Sequence, residues 1–248
     1  MTSAMAISAD APTWEGIDPV RLSMMKAAAK RVREIGSELE DQESNIIAEI
    51  LRDGPEFYEW DHYPPGDVYD LASHSQYYYH AHSPTKQSDV RTYEHGHFHT
   101  FMRPLGFPDD VNVPSDIDGL PAACPSDGLT HLIAVSINFA GEPVRLFTTN
   151  RWVTDETWYP AADVKRILSQ FQVTSAGQYH QTSAWLTALL RMYGPLIEQL
   201  VDARDHAIRA HAPDMPEHRV WSDRSLEITS FADISLARDI DSLLSTEA

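Results

Sequence analysis

His95, His97 and His99 recur at every second residue within Thr92–Phe101, a run rich in aromatics and free of proline. Side chains alternate across a β-strand, so this period commits the run to a strand with its imidazoles on one face. A second proline-free aromatic run, Ser75–His82, carries His80 and His82 at the same spacing. It reads as a strand too, because aromatic residues favour a pleated, half-buried surface. Of the 12 histidines in the chain, seven fall between His62 and His99, and the fold has to accommodate that density.

The rest of the chain is read around these strands. Residues 1–14 read as a disordered tail and 15–248 as one domain. Asp18-Pro19 supplies an N-cap and a first-turn proline, and the spacing predicts a helix that ends at Gly36. A second helix is expected from Ser37 to Asp53. Pro64-Pro65-Gly66-Asp67 reads as a turn. His131–Phe139 and Val144–Asn150 form a hairpin around Ala140–Pro143. A short helix is expected over 161–172 and a long one over 183–211, bent at Gly194-Pro195. Leu226–Thr229 reads as an edge strand, and a last helix runs to about Leu244. Central strands with helices before and after them predict an α+β fold, with a mainly antiparallel sheet flanked by N-terminal and C-terminal helices.

Composition excludes several functions. The formal net charge of −18 disfavours nucleic-acid backbones and anionic membranes, which attract clustered Lys and Arg. No stretch approaches the ~20 apolar residues that span a bilayer, and the N-terminus lacks a secretory pattern. The single cysteine, Cys124, forms no internal disulfide and builds no thiolate cluster. A reducing, cytoplasmic setting is the expectation.

The histidines point to metal. Residues i and i+2 of a strand stand ~7 Å apart and can lean onto one ion, whereas His95 and His99 are ~13 Å apart. A further ligand therefore comes from across the sheet, where facing Cβ atoms are ~5 Å apart. Pairing 75–82 with 92–101 joins His80 and His82 to His95, His97 and His99. Imidazole suits iron, copper and zinc rather than calcium or magnesium, so one such ion per chain is expected, or two neighbouring ones. Gly96 allows close backbone approach or a bulge, and a bulge turns Glu94 toward the histidines as ligand or base. On a regular strand Glu94 faces away and pairs with Arg91.

The run from Asp61-His-Tyr-Pro-Pro-Gly-Asp67 through Tyr77-Tyr-Tyr-His-Ala-His82 to Glu94-His-Gly-His-Phe-His99 resembles an uncharacterised bacterial His-rich family. That resemblance implies no assigned activity. The His-x-His pairs are similar, locally, to those of cupins and alpha-class carbonic anhydrases.

Further residues are assigned by position. Tyr78 shares the histidine face, as a catalytic hydroxyl or as cross-strand packing. Asp67 and Asp70 orient a ligating imidazole through its second nitrogen or serve as turn residues. Arg151, Trp152 and Trp158 form a substrate wall or pack structurally. His131 begins an apolar strand face with Ile133, Val135 and Ile137 and reads as a core or edge histidine rather than a ligand. No phosphate loop, nucleophile elbow or His-Glu-x-x-His helix occurs. The function expected is a metal-dependent enzyme acting on a small molecule, oxygenase-type ahead of lyase or hydrolase. A metal-handling protein is the alternative, and a haem binder the third reading.

Overall fold

Asp18 accepts hydrogen bonds from the backbone N–H groups of Val20 and Arg21 and starts helix α1, Pro19–Asp41. Its buried stripe is Leu22, Met25, Ala29, Val32, Ile35 and Leu39, spaced as a helix face requires. The helix runs through Gly36 instead of stopping there. Burying Leu39, worth ~1.5–3 kcal/mol, outweighs the ~1 kcal/mol that a mid-helix glycine costs. Helix α2 then covers only Ile46–Ile50.

The computed structural model describes residues 5–6, 12–52, 58–59, 61–81, 94–113, 128–174, 177–211 and 213–247. His82, Arg91 and Cys124 lie outside them. The strands are β1 (Met5–Ala6), β2 (Tyr63–Tyr69), β3 (Ser75–Ala81), β4 (Glu94–Met102), β5 (Thr130–Asn138), β6 (Pro143–Thr149) and β7 (Ile228–Asp233). They form one sheet in the order β1-β7-β6-β5-β4-β3-β2. All neighbours are antiparallel except β1, which pairs in parallel with β7. Met5–Ala6, inside the segment read as a tail, is thus a short strand. β7 is internal to the sheet, between β6 and β1, and is not an edge.

The remaining helices are α3 (Arg151–Thr154), α4 (Ala161–Leu168), α5 (His180–Met192), α6 (Gly194–His211), α7 (Glu217–Val220) and α8 (Leu236–Ser245). The long helix expected over 183–211 is two, because Pro195 has no N–H to give back to the preceding turn. With helices on both sides of the strand region in sequence, the fold is α+β.

One face of the sheet carries Tyr77, Tyr79, Phe98, Ile133, Val135 and Leu146, all fully buried. Helix α5 packs there: Tyr77 Oη and Ser183 Oγ are 2.9 Å apart, and Phe98 meets Trp185. Helix α6 lies against β6 and β7, and α1 packs on α5. The core sits between this face and the helices. The alternate side chains, His80, His97 and His99 among them, point to the other face.

Two glycines test this arrangement in opposite directions. A Cβ on Gly96 would stand 2.4 Å from the His80 carbonyl oxygen, whereas one on Gly36 meets nothing within 4 Å. Gly96→Ala should therefore cost about 1–3 kcal/mol through overpacking. Gly36→Ala should gain about 0.5–1 kcal/mol. Urea unfolding measures both; equal effects of the same sign would contradict the packing described.

Candidate metal centre

Cross-strand register sets side chains of the second face in rows. One row runs His80, His97, Ser136, Arg145, Asp233, and the next runs Tyr78, His99, Ala134, Phe147, Phe231. His80, His97 and His99 occupy three corners of a square on β3 and β4, and Tyr78 occupies the fourth. Each of the three imidazoles offers one nitrogen, and these nitrogens all lie within 4.8 Å of one another. A tetrahedral ion with ~2.0–2.1 Å bonds needs ~3.3 Å between ligand atoms, a closure that small ring rotations supply. The group could hold a metal ion.

His95 is not part of it. Glu94 pairs with Asn138 and Gly96 with Ile137, so β4 carries one extra residue at His95. This bulge turns His95 to the helix-facing side, where its Nδ1 is hydrogen-bonded to Tyr79 Oη at 2.5 Å. It also swings Glu94 onto the other face, where Oε1 accepts from His97 Nδ1 at 2.5 Å. The regular-strand expectation for the three alternate histidines is corrected here, and His82 lies outside the described residues. Gly96 permits the bulge, since any side chain there would meet β3.

A second bulge explains a residue that sequence spacing misassigned. Thr100 pairs with Ile133 but Phe101 with His131, so Leu132 is the extra residue in β5. His131 leaves the face of Ile133 and Val135 and joins His99: His99 Nδ1 and His131 Nε2 are 3.0 Å apart. His131 Nδ1 lies 3.5 Å from Thr149 Oγ1.

A carboxylate only accepts, so His97 donates its Nδ1–H to Glu94 and keeps the lone pair of Nε2 for a metal. Between His99 Nδ1 and His131 Nε2 either ring can be the donor; when His99 donates, it too keeps the lone pair of Nε2. Its Nε2 is buried and has no hydrogen-bond partner. Outer partners of this kind fix a ligand ring and raise its basicity.

Burial sets the protonation states. His99, with no exposed surface, has its pKa held well below 6.5, by desolvation first and then by the neighbouring imidazoles. Desolvation, with Arg204 and His97, lowers His131 to about 3. Both rings are neutral, as a ligand and its support must be. Burial pushes the Tyr78 hydroxyl above its ordinary range, so it stays a donor at neutral pH.

Tyr78 is nearly buried. Its ring stacks on His62 at 3.6 Å and lies 5.1 Å from His99 and 5.5 Å from Phe101. Phe147 stands 5.1 Å from His97. The aromatic wall around the triad is thus Tyr78, Phe101 and Phe147. Trp152 and Trp158 pack elsewhere: Trp152 Nε1 donates to Leu226 O at 2.9 Å, and Trp158 stacks on Trp221 with Arg204 over its ring. Arg151 is buried, 3.7 Å from Asp155. Asp70 accepts from the backbone of Ala72 and Ser73 and from Thr174, which pulls its pKa down to about 2 against the cost of burial. It is a turn residue. Asp67 accepts from His62 Nδ1 at 3.1 Å, a ring outside the triad.

Glu156 was not singled out from the sequence, although it lies in the Arg151–Tyr159 segment. It is fully buried and accepts from the His131 backbone N–H at 2.6 Å. Burial pushes its carboxyl up to about 7, against the pull of Arg204 and its hydrogen bonds.

No curated protein matches the chain, and no solved structure does. A family model described as a domain of unknown function, DUF6969, matches residues 26–234. That span is most of the chain and includes both histidine strands and both bulges, and the chain belongs to the DUF6969 family.

Proposed function

We propose that this protein is a metal-dependent enzyme in which His80, His97 and His99 hold one transition-metal ion. The observation that carries the reading is His99 Nε2, a buried imidazole nitrogen without a partner beside two more imidazole nitrogens. A neutral three-nitrogen set suits iron, copper or zinc. Three protein ligands leave a coordination position open, the arrangement of catalytic rather than structural sites. Tyr78, at the fourth corner and protonated, is suited to donate to a small molecule bound there. The rings of Tyr78, Phe101 and Phe147 are the support for redox, oxygenase-type chemistry over lyase or hydrolase chemistry. Burial of His99 and the outer partners Glu94 and His131 favour a single tuned ion over the open, multi-ion surface of a metal-handling protein.

Metal content tests this directly. Protein purified without a histidine tag should carry about one iron, copper or zinc per chain by elemental analysis. His99→Ala should abolish that. Glu94→Gln should weaken metal affinity about 10–100-fold, and His95→Ala should leave it unchanged. Loss in His95→Ala equal to that in His99→Ala would refute the ligand assignment.

Acid should destabilise the metal-free fold through the same buried rings. The unfolded chain protonates His99 and His131 near pH ~6.5, while the fold keeps both neutral to lower pH. For these two rings the unfolded state binds more protons below ~6.5, so their contribution is full above that pH and falls as pH drops toward the folded-state pKa values; Glu156, whose carboxyl is raised to about 7 in the fold, offsets one of these protons. Urea midpoints of metal-free protein should fall between pH ~7 and ~5, less steeply in His131→Gln. The same slope in wild type and variant would contradict a buried neutral His131.

A further inference from the structure

Helix α1 keeps two large apolar side chains in solvent, Val20 and Met24, 70% and 52% exposed. They stand one turn apart and share a side of the helix. Met24 borders two hollows between α1, α5 and residues 168–173. The first, of about 340 Å³, has Met24, Met25, Leu168, Phe171 and Leu190 among its walls. The second, of about 400 Å³, lies against Ala28, Val173, Ala184 and Ala188. Met24 and Arg191 line both, so the hollows adjoin there. Met25, Leu168, Phe171 and Leu190 are themselves buried core side chains. Val173 N donates to Thr187 Oγ1 at 3.0 Å and ties residues 168–173 to α5. The concavity is therefore preformed between fixed elements, as small-molecule sites usually are.

The charges of these walls run against those of the chain. Acidic residues outnumber Lys and Arg by 37 to 19 overall, yet the two hollows carry Arg21, Arg31 and Arg191 against the single carboxylate of Glu198. Arg21 and Glu198 neutralise each other through contacts of 2.5 and 3.1 Å. Arg31 lies 3.1 Å from Glu38 and 3.4 Å from Glu34. The Arg191 guanidinium is exposed and has no hydrogen bond or ion pair among the described residues.

We propose that the first hollow binds a medium-chain fatty acid, with its tail between Met24, Met25, Leu168, Phe171 and Leu190 and its carboxylate on Arg191. Shape and charge select this occupant. The volume sits at the lower end of the ~300–1,000 Å³ of small-molecule sites. A protein partner would need ~800 Å² of this surface, and Val20 and Met24 are all that α1 offers it in exposed large apolar side chains. Unbranched methionines adapt to a flexible chain, and the planar fork of Arg191 matches one carboxylate. The net charge of −18 repels an anion at long range, but salt screens it beyond ~8 Å. The site lies among the helices, on the side of the sheet away from the histidine triad, and stands independently of the metal reading.

Titration calorimetry with decanoate and decanol, each kept below the concentration at which it aggregates, tests the proposal. Decanoate should bind wild type saturably, one per chain, about 5-fold tighter than decanol, the upper range for a charge pair at an exposed site. Arg191→Gln should remove that difference and keep the affinity for decanol. Met24→Glu, which sets a like charge at the rim, should weaken decanoate more than decanol. Both side chains are exposed, and thermal melts establish that each variant is folded. No saturable binding, equal affinities for acid and alcohol, or decanoate affinity unchanged in folded Arg191→Gln overturns the proposal. Sedimentation velocity covers the competing occupant. A wild-type dimer that Met24→Glu dissociates and decanoate leaves intact would make the groove a contact between copies and overturn the proposal as well.

Discussion

A buried imidazole nitrogen that lacks a hydrogen bond costs ~1–3 kcal/mol, and His99 Nε2 is such an atom. The surrounding structure makes it so. Its ring is wholly buried, the other nitrogen is engaged by His131, and His80 and His97 crowd the open side. In the function proposed above, a metal ion held by His80, His97 and His99 would resolve this conflict by giving that nitrogen a partner. Helix α5 packs on the opposite face by the same alternation, since Tyr77, Tyr79 and Phe98 take the apolar side of the strands whose other side carries the histidines.

Much of this was legible in the strand period. His80 and His97 face one another, and His99 shares their side, as alternation and antiparallel pairing require. What the period could not reveal were the two bulges. One extra residue at His95 exchanges an imidazole for the carboxylate of Glu94, and one at Leu132 moves His131 to the face of His99. A bulge is a property of two strands together, so its only trace in one strand is a permissive residue. Gly96 left that trace, and its close approach to the His80 carbonyl is the physical reason. Leu132 left none. The same limit applies to α1: Gly36 reads locally as a stop, and only the continued burial of Leu39 overrides it.

The aromatic wall shows a second limit. Tryptophans beside an arginine attracted attention in Arg151–Tyr159, yet that segment reaches the histidines through Glu156 and the backbone of His131. Around the triad, the rings come from the sheet itself, from Phe101 and Phe147 on the same face. Edge geometry completes the picture. The excursion of β2 opposite Tyr78 sets His62 between the triad and an open cleft.

X-ray absorption at the edge of the bound metal tests the central claim most directly. The account predicts a first shell at ~2.0–2.2 Å containing three imidazoles, with their outer-ring scattering, reduced by one imidazole in His80→Ala. A shell of oxygen donors, or an imidazole count unmoved by that substitution, would contradict it.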